Sequence, residues 1–297
     1  MEKSHSGCHG RQASSLSFVG SFLVVSTGSP RDESVRLADK MPIDRKRLAT
    51  ERVRPIGGHD AYLPLMNRRV LRTKNFVRDA ADFIFDLAHK ALAERNEFRI
   101  ALSGGNTPRP VYTELARIGH DLPWEKILIT FGDERCVPLD DEQSNYRMAR
   151  EALLIPANVP DKSVLRIRGE IDPQMAAQEY EDELNLLATQ RGEQIYQHDL
   201  ILLGLGEDGH TASLFPGTAA LEETTRKVVA NYVPKFSSWR LTFTLPLINH
   251  ARQICFLVNA TKHVELIERV LRGDPEFPAS RVQPVSGDLT WILGQAA

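Results

Sequence analysis

The sequence predicts an α/β fold, a single doubly wound, mostly parallel sheet with helices on both faces. Three observations carry that expectation. Apolar runs of strand length recur from about residue 75 onward, separated by segments long enough for a helix. The run Leu200, Ile201, Leu202, Leu203 is uninterrupted, which is how a strand buried on both faces reads. Three of the runs break into short loops that carry glycines or charges.

Asn75 is placed to cap a first helix in which Phe76, Ala80, Phe83, Ile84, Leu87, Ala91 and Leu92 recur at helical spacing. A strand over Phe98–Leu102 follows and runs into Ser103-Gly104-Gly105-Asn106-Thr107-Pro108. Pro108 opens the next helix, to about Ile118, because proline fits the first helical position. A strand over Ile127–Phe131 ends in the loop Gly132-Asp133-Glu134-Arg135; a helix over 144–154 and another over 173–189 come next. After the strand at 200–203, strands are expected at 228–233, 241–245 and 254–258, then a helix over 261–271 and a last strand at 289–293.

At 297 residues the chain can bury a substantial core, and its 42% hydrophobic and 26% charged content is that of a soluble globular protein. A formal net charge of -2 gives no global reason to expect nucleic acid or membrane as a partner. Local basic groups must then explain any anionic ligand. Cys8, Cys136 and Cys255 are odd in number, far apart and without a C-x-x-C pair, so neither a disulfide framework nor a thiolate zinc site is expected, which fits a reducing cytoplasm. Residues 1–60 are rich in Ser, Gly and Arg and lack a sustained period, and read as a poorly ordered extension to a domain over 61–297. Residues 16–25 resemble a short signal-peptide core, yet no A-x-A-like cleavage site follows and the run is too short to span a bilayer. A tail, or an overlong start with Met41 or Met66 as internal candidates, is the preferred reading.

Residues 199–216 are the most informative stretch. A buried strand breaks into Gly204, Gly206 and Gly209 and presents Asp208 and His210 at the mouth of a sheet, where open α/β folds bind ligands. A lone loop histidine is ordinarily just hydrogen-bonded in place; here glycines, a carboxylate and a strand end surround it. The same glycines satisfy G-x-G-x-x-G. They lie deep in the chain, however, Pro216 and Gly217 interrupt any helix behind them, and Glu207 and Asp208 would face a pyrophosphate. The SGGNTP loop offers an anion backbone N–H groups at Gly104 and Gly105, the hydroxyls of Ser103 and Thr107, and the positive end of a helix dipole. No G-K-[ST] follows, which argues against a nucleoside triphosphate, and a tight turn without a ligand is the plain alternative. Arg135 has a fork suited to phosphate, and Asp133 can hold that fork or a sugar hydroxyl; alone, the two read equally well as a surface ion pair. Lys262 adds a cation at a helix start, where an exposed lysine is also the common case. The nine histidines show no ligand spacing, so no metal is expected. Cys136 has no neighbouring histidine to make it a nucleophile, although Arg135 beside it is of the sign that lowers a thiol pKa.

In order and spacing, SGGNTP, GDERCVPLDDEQSNYRM, GLGEDGHTASLFP, RLTFTLPLIN and PASRVQP resemble the 6-phosphogluconolactonase family over roughly residues 65–297. The resemblance implies one α/β domain similar in fold to glucosamine-6-phosphate deaminase and ribose-5-phosphate isomerase. It also implies hydrolysis of 6-phospho-D-glucono-1,5-lactone to 6-phosphogluconate, the second step of the oxidative pentose phosphate pathway, without cofactor or metal. The deaminases look similar through the D-G-H turn but carry a glutamate five residues after the histidine, where Phe215 stands, and tend to have tyrosine where Arg135 stands.

On that resemblance His210 is expected to act as general base, imidazole being the side chain that ordinarily titrates near neutral pH. Asp208 either orients it or binds a sugar hydroxyl. The phosphate is expected against Ser103, Gly104, Gly105 and Thr107, with Arg135, Arg240 and Lys262 supplying positive charge and Asp133 adding a polar contact. The expected partner is a small-molecule sugar-phosphate lactone, with no nucleic acid and no membrane, bound by a cytoplasmic monomer or weak homo-oligomer. Two rivals come from other classes. A non-catalytic sugar-phosphate sensor has no use for the Asp208/His210 pair, and an NAD-dependent dehydrogenase would bind NAD or NADP.

Overall fold

The computed structural model describes residues 50–51, 68–260 and 264–295. In chain order its elements are β1 (Thr50–Glu51), β2 (Arg68–Thr73), α1 (Phe76–Arg95), β3 (Phe98–Leu102), α2 (Pro108–Ile118), β4 (Ile127–Phe131), β5 (Asp133–Arg135) and α3 (Asn145–Ala149). There follow α4 (Pro173–Gln190), β6 (Leu200–Leu203), β7 (Val228–Val233), β8 (Ser238–Phe243), α5 (Leu245–Ile248), β9 (Gln253–Asn259), α6 (Val264–Leu271) and β10 (Asp288–Gly294). Apart from Thr50 and Glu51, the extension read over 1–60 lies outside the described residues.

The uninterrupted apolar runs have the consequence expected of them. Every residue of β3 and of β6 is buried, and both strands lie inside a seven-stranded sheet of order β1-β2-β10-β9-β6-β3-β4. All neighbours in it are parallel except the β1/β2 pair at one edge. The connections β2 to β3 and β3 to β4 run toward one edge, whereas β4 to β6, β6 to β9 and β9 to β10 run toward the other. Right-handed crossovers then put α1 and α2 on one face and α4 and α6 on the opposite face. The α/β fold class read from the sequence is the one observed. The direction of travel reverses between β3 and β6, which are hydrogen-bonded neighbours, and such a switch point opens a crevice at the carboxyl ends of the strands.

Two expected strands do not join this sheet. Residues 228–233 and the 241–245 region form β7 and β8, which pair antiparallel with each other and with β5 in a separate three-stranded sheet of order β5-β8-β7. The link over 234–237 is far too short for a parallel crossover, so only a hairpin is open to it. Leu245 begins the short helix α5 instead of ending a strand. The loop expected at Asp133–Arg135 is itself the edge strand β5, and β2 is a strand the sequence did not announce, its RRVLRT alternating too weakly with charge. Asn75 precedes α1 as expected but makes no side-chain cap; Thr73 Oγ1 instead accepts from the Asn75 N–H at 2.9 Å and donates to Asp79. Ser144 does cap its helix, accepting from Arg147 N, and that helix loosens into a π-helical turn over Arg150–Leu154.

Two fully buried tyrosines fasten the strand ends that feed the crevice. Tyr112 of α2 accepts from Ser103 N at 2.9 Å and donates to Ser103 O at 2.8 Å; Tyr180 of α4 accepts from Phe131 N at 2.9 Å. Because Ser103 is buried and Tyr112 is the partner of its N–H, Tyr112→Phe is expected to destabilise the fold by about 1–3 kcal/mol in denaturant unfolding, the cost of leaving a buried donor unpaired.

Candidate active site

The loops after β3 and β6 meet over the switch point around a cleft of about 450 Å³. Ser103, Gly104, Gly105, Asn106 and Thr107 line one side, Gly204 to Glu207 with His210 and Thr211 the other, and Asp133 and Arg135 close the end. Leu257, Val258, Leu266 and Ile267 of β9 and α6 supply an apolar wall.

The turn after β6 is built to hold an imidazole. Gly206 N donates to His210 O at 2.9 Å and Gly209 N to Gly206 O at 3.0 Å, with Gly209 at φ +75°, a conformation that favours glycine. A Cβ at Gly206 would overlap the His210 ring. On its outer side the turn is held by the PASRVQP segment, where Ala279 N donates to Gly209 O at 3.0 Å. Inside the turn His210 Nδ1 is bonded to Asp208 Oδ1, which leaves Nε2 as the ring nitrogen for the cleft. Lys235 Nζ donates to the other Asp208 oxygen at 2.9 Å. Burial alone would raise the Asp208 pKa, but the bonds from His210 and Lys235 outweigh it and hold the carboxyl down at about 2. With Asp208 ionised, the neutral form of the ring carries its proton on Nδ1 and presents Nε2 as an acceptor. The Phe215 ring stacks on the imidazole at 4.0 Å between centroids.

The opposite wall has the chemistry of an anion site. Ser103 Oγ is buried without a hydrogen-bond partner, and so is Arg135 Nε; both residues line the cleft. Gly105 has φ +100°, which strains any other residue, and a Cβ on Gly104 would overlap the Asn145 side chain and force it to move. Arg135 stands directly opposite Arg240 in the β5/β8 register, a like-charge pair that is unfavourable without an anion nearby. Arg240 is buried, and burial together with Arg135 lowers its pKa.

The motifs GDER and SNYRM are two halves of one brace. The Glu134 carboxylate accepts from the backbone N–H groups of Arg135, Asn145 and Tyr146 at 2.7–2.8 Å, and so caps α3. Asn145 Nδ2 donates to Asp133 O at 2.9 Å and Oδ1 at 3.2 Å, while Ser213 Oγ donates to Asp133 Oδ2 at 2.8 Å. Asp133 is thus buried and held by Asn145 and Ser213, and Arg135 Nη1 donates to the Gln143 carbonyl at 2.7 Å.

Of the residues expected from the sequence, Ser103, Gly104, Gly105, Thr107, Asp133, Arg135 and His210 come together on one cleft, with Asp208 behind His210. Arg240 stands outside the cleft lining, beside Arg135, and Lys262 lies outside the described residues. Burial pushes the Cys136 thiol up to about 11 and outweighs the lowering by a cation, which comes from Arg240 and not from the adjacent Arg135. The sequence reading missed Lys235, 27 positions from Asp208, and the partner roles of Phe215, Asn145 and Ser213. Among the described residues no three His, Cys, Asp or Glu side chains gather as for a metal, and no helix is long and apolar enough to cross a membrane.

Known proteins resemble this chain in sequence and fold. The family described as glucosamine-6-phosphate isomerases/6-phosphogluconolactonase matches residues 72–291, and the chain belongs to it. A 6-phosphogluconolactonase of Synechocystis sp. is 45% identical over 212 residues, which cover 70% of this chain and 86% of the relative. Solved 6-phosphogluconolactonases from Thermotoga maritima and Trypanosoma brucei match with TM-scores of 0.68 and 0.67, each at 28% identity. Each match covers 77% of this chain, with 100% and 96% of the respective structures. Within the family these relatives place the chain among the hydrolases.

Two outcomes follow from the turn. Gly206→Ala is expected to push the imidazole out of place, read as a change in the His210 ring signals by NMR, with little loss of Tm. Because the folded Asp208 pKa of about 2 lies below its ordinary 3.8, the stability this carboxylate contributes is present above about pH 4 and is lost as pH falls through about 2. The stability gap between wild type and Asp208→Asn, followed by urea unfolding, should therefore close over that interval.

Proposed function

We propose that the chain hydrolyses 6-phospho-D-glucono-1,5-lactone to 6-phospho-D-gluconate, with His210 as the base that activates water. The observation that carries this reading is the pairing, across one cleft, of an acceptor imidazole held by Asp208 with an unpartnered Ser103 Oγ and an unpartnered Arg135 Nε. A δ-lactone is an activated ester, and its hydrolysis needs a nucleophilic water, stabilisation for the carbonyl oxygen and a proton for the departing ring oxygen. His210 Nε2 removes a proton from water as the oxygen attacks C1. The imidazolium, stabilised by Asp208, then returns that proton to the ring oxygen as the C1–O5 bond breaks. The reaction balances as lactone plus water to hydroxy acid, with no covalent enzyme intermediate.

The N–H groups of Gly206 and Gly209 are already bonded within their own turn, which leaves the Gly104-Gly105 loop as the better source of donors for the developing oxyanion. The 6-phosphate fits the Ser103, Thr107 and Arg135 side, with the α2 dipole behind it and Arg240 adding charge at longer range. Remote binding of this kind holds C1 in register with His210, an advantage when free water opens the lactone unaided. The sensor alternative leaves the Asp208/His210 pair without a purpose, and the acidic Glu207 in the cleft lining disfavours a dinucleotide pyrophosphate.

Initial rates of lactone opening at mildly acidic pH, where the spontaneous reaction is slow, test the reading. Wild type should accelerate opening, and His210→Ala should lose about 10²–10⁴-fold, the range of general-base catalysis. A fast His210→Ala enzyme would remove His210 as base. A wild type that binds 6-phosphogluconate without accelerating opening would make the chain a sensor. Arg135→Ala should raise KM for the phosphorylated lactone by about 10–100-fold and leave the unphosphorylated lactone nearly unchanged. Equal losses on both substrates would remove Arg135 from the phosphate site.

A further inference from the structure

The hairpin tip between β7 and β8 reaches the Asp208/His210 pair twice. Lys235 Nζ donates at 2.9 Å to Asp208 Oδ2, the oxygen that His210 does not use. Phe236, next in the chain, meets Phe215 edge-on at 5.7 Å, and Phe215 is the ring that stacks on His210. The Lys235 ammonium also lies over the Phe236 ring, 5.5 Å from its centre, so two contacts hold the head of the side chain.

We propose that Lys235 is a positioning residue for the reaction, the outer member of a Lys235–Asp208–His210 chain that fixes the carboxylate behind the imidazole. The inference deepens the proposed function and rests on His210 being the base.

The physical case has a geometric and an electrostatic part. A carboxylate tied at one oxygen only can swing about Cβ–Cγ, whereas Asp208 is tied at both, through Oδ1 to His210 and through Oδ2 to Lys235. A carboxylate standing alone would also hold the imidazolium strongly and slow the return of its proton to the ring oxygen; an ammonium on its far side offsets part of that charge. The coupling is screened, because the Lys235 side chain is 56% exposed and that of Asp208 28%. Glu207 in the same turn, Asp133 and Arg135 at the end of the cleft, and Arg240 over the Phe236 ring are other charges near His210. None of them changes when residue 235 is replaced.

Lys235→Met, which keeps the stem and removes the charge, and Lys235→Arg, which keeps the charge, are compared with wild type after their Tm values are checked. Two readouts are used: the titration of the His210 ring followed by NMR, and the pH dependence of kcat/KM for 6-phosphogluconolactone opening. In Lys235→Met the ring titration and the acid limb of the rate profile should both move up by about 0.2–0.7 pH unit, the range an exposed ion pair supports. The plateau kcat should fall several-fold at nearly constant KM, and Lys235→Arg should restore both. An unmoved ring titration overturns the proposal. So does a defect confined to KM, which would make Lys235 a substrate contact. A ring titration that moves while the rate profile stays put removes His210 as base, and with it the part of Lys235 in the reaction.

Discussion

Two parallel strands that lie side by side, and whose following chains leave in opposite directions, cannot cover the end they share. β3 and β6 are such a pair: the chain after β3 departs toward β4 and the chain after β6 toward β9, so the crevice between them is left open by connectivity alone. The rest of the site depends on this constraint. It brings the SGGNTP loop within reach of the GLGEDGH turn although about a hundred residues separate them, and it places a helix N-terminus and a glycine turn on facing walls. Tyr112, gripping both backbone groups of Ser103, keeps one of those walls from relaxing into the gap.

The small antiparallel sheet gives the crevice its third wall and its charge. β4 passes through Gly132 into β5, and the chain is pinned there by Gly132 N to Leu102 O and by Phe243 N to Gly132 O, so the end of the large sheet and the edge of the small one are one piece. β5 brings both Arg135 and Asp133 to the cleft, where Asp133 is held by Asn145 and Ser213, while Glu134 points the other way and is consumed by the N-terminus of α3. Three adjacent charged residues therefore do different work. Both acids are tied into the architecture, and Arg135 keeps a buried Nε without a hydrogen-bond partner.

Much of this was legible in the chain. Buried strands announced themselves as uninterrupted apolar runs, and the glycines at 104, 105, 206 and 209 marked turns that the structure uses for close approach or positive φ. What stayed hidden had weak local signals. β5 spans only three residues, too few for a period of two to be visible. The β7–β8 hairpin was readable from its short link, yet strands counted one by one along an α/β pattern invite placement in the main sheet. Lys235 and Ser213 act through contacts between distant segments, for which neither spacing nor composition carries a mark. Asn75 and Cys136 show the converse case, in which a sound local rule is overridden by its surroundings: the Asn75 side chain makes no cap while its N–H bonds to Thr73, and desolvation outweighs the cation.

The central claim is that one crevice holds both halves of the substrate, phosphate toward Ser103 and Arg135 and the reacting carbon toward His210. A crystal structure with bound 6-phosphogluconate tests it most directly. The account predicts the phosphate within hydrogen-bond distance of Ser103 Oγ and Arg135 Nε, and C1 with its carboxylate beside His210 Nε2. A phosphate seated elsewhere, or a C1 that cannot come within one water of the imidazole, would contradict it.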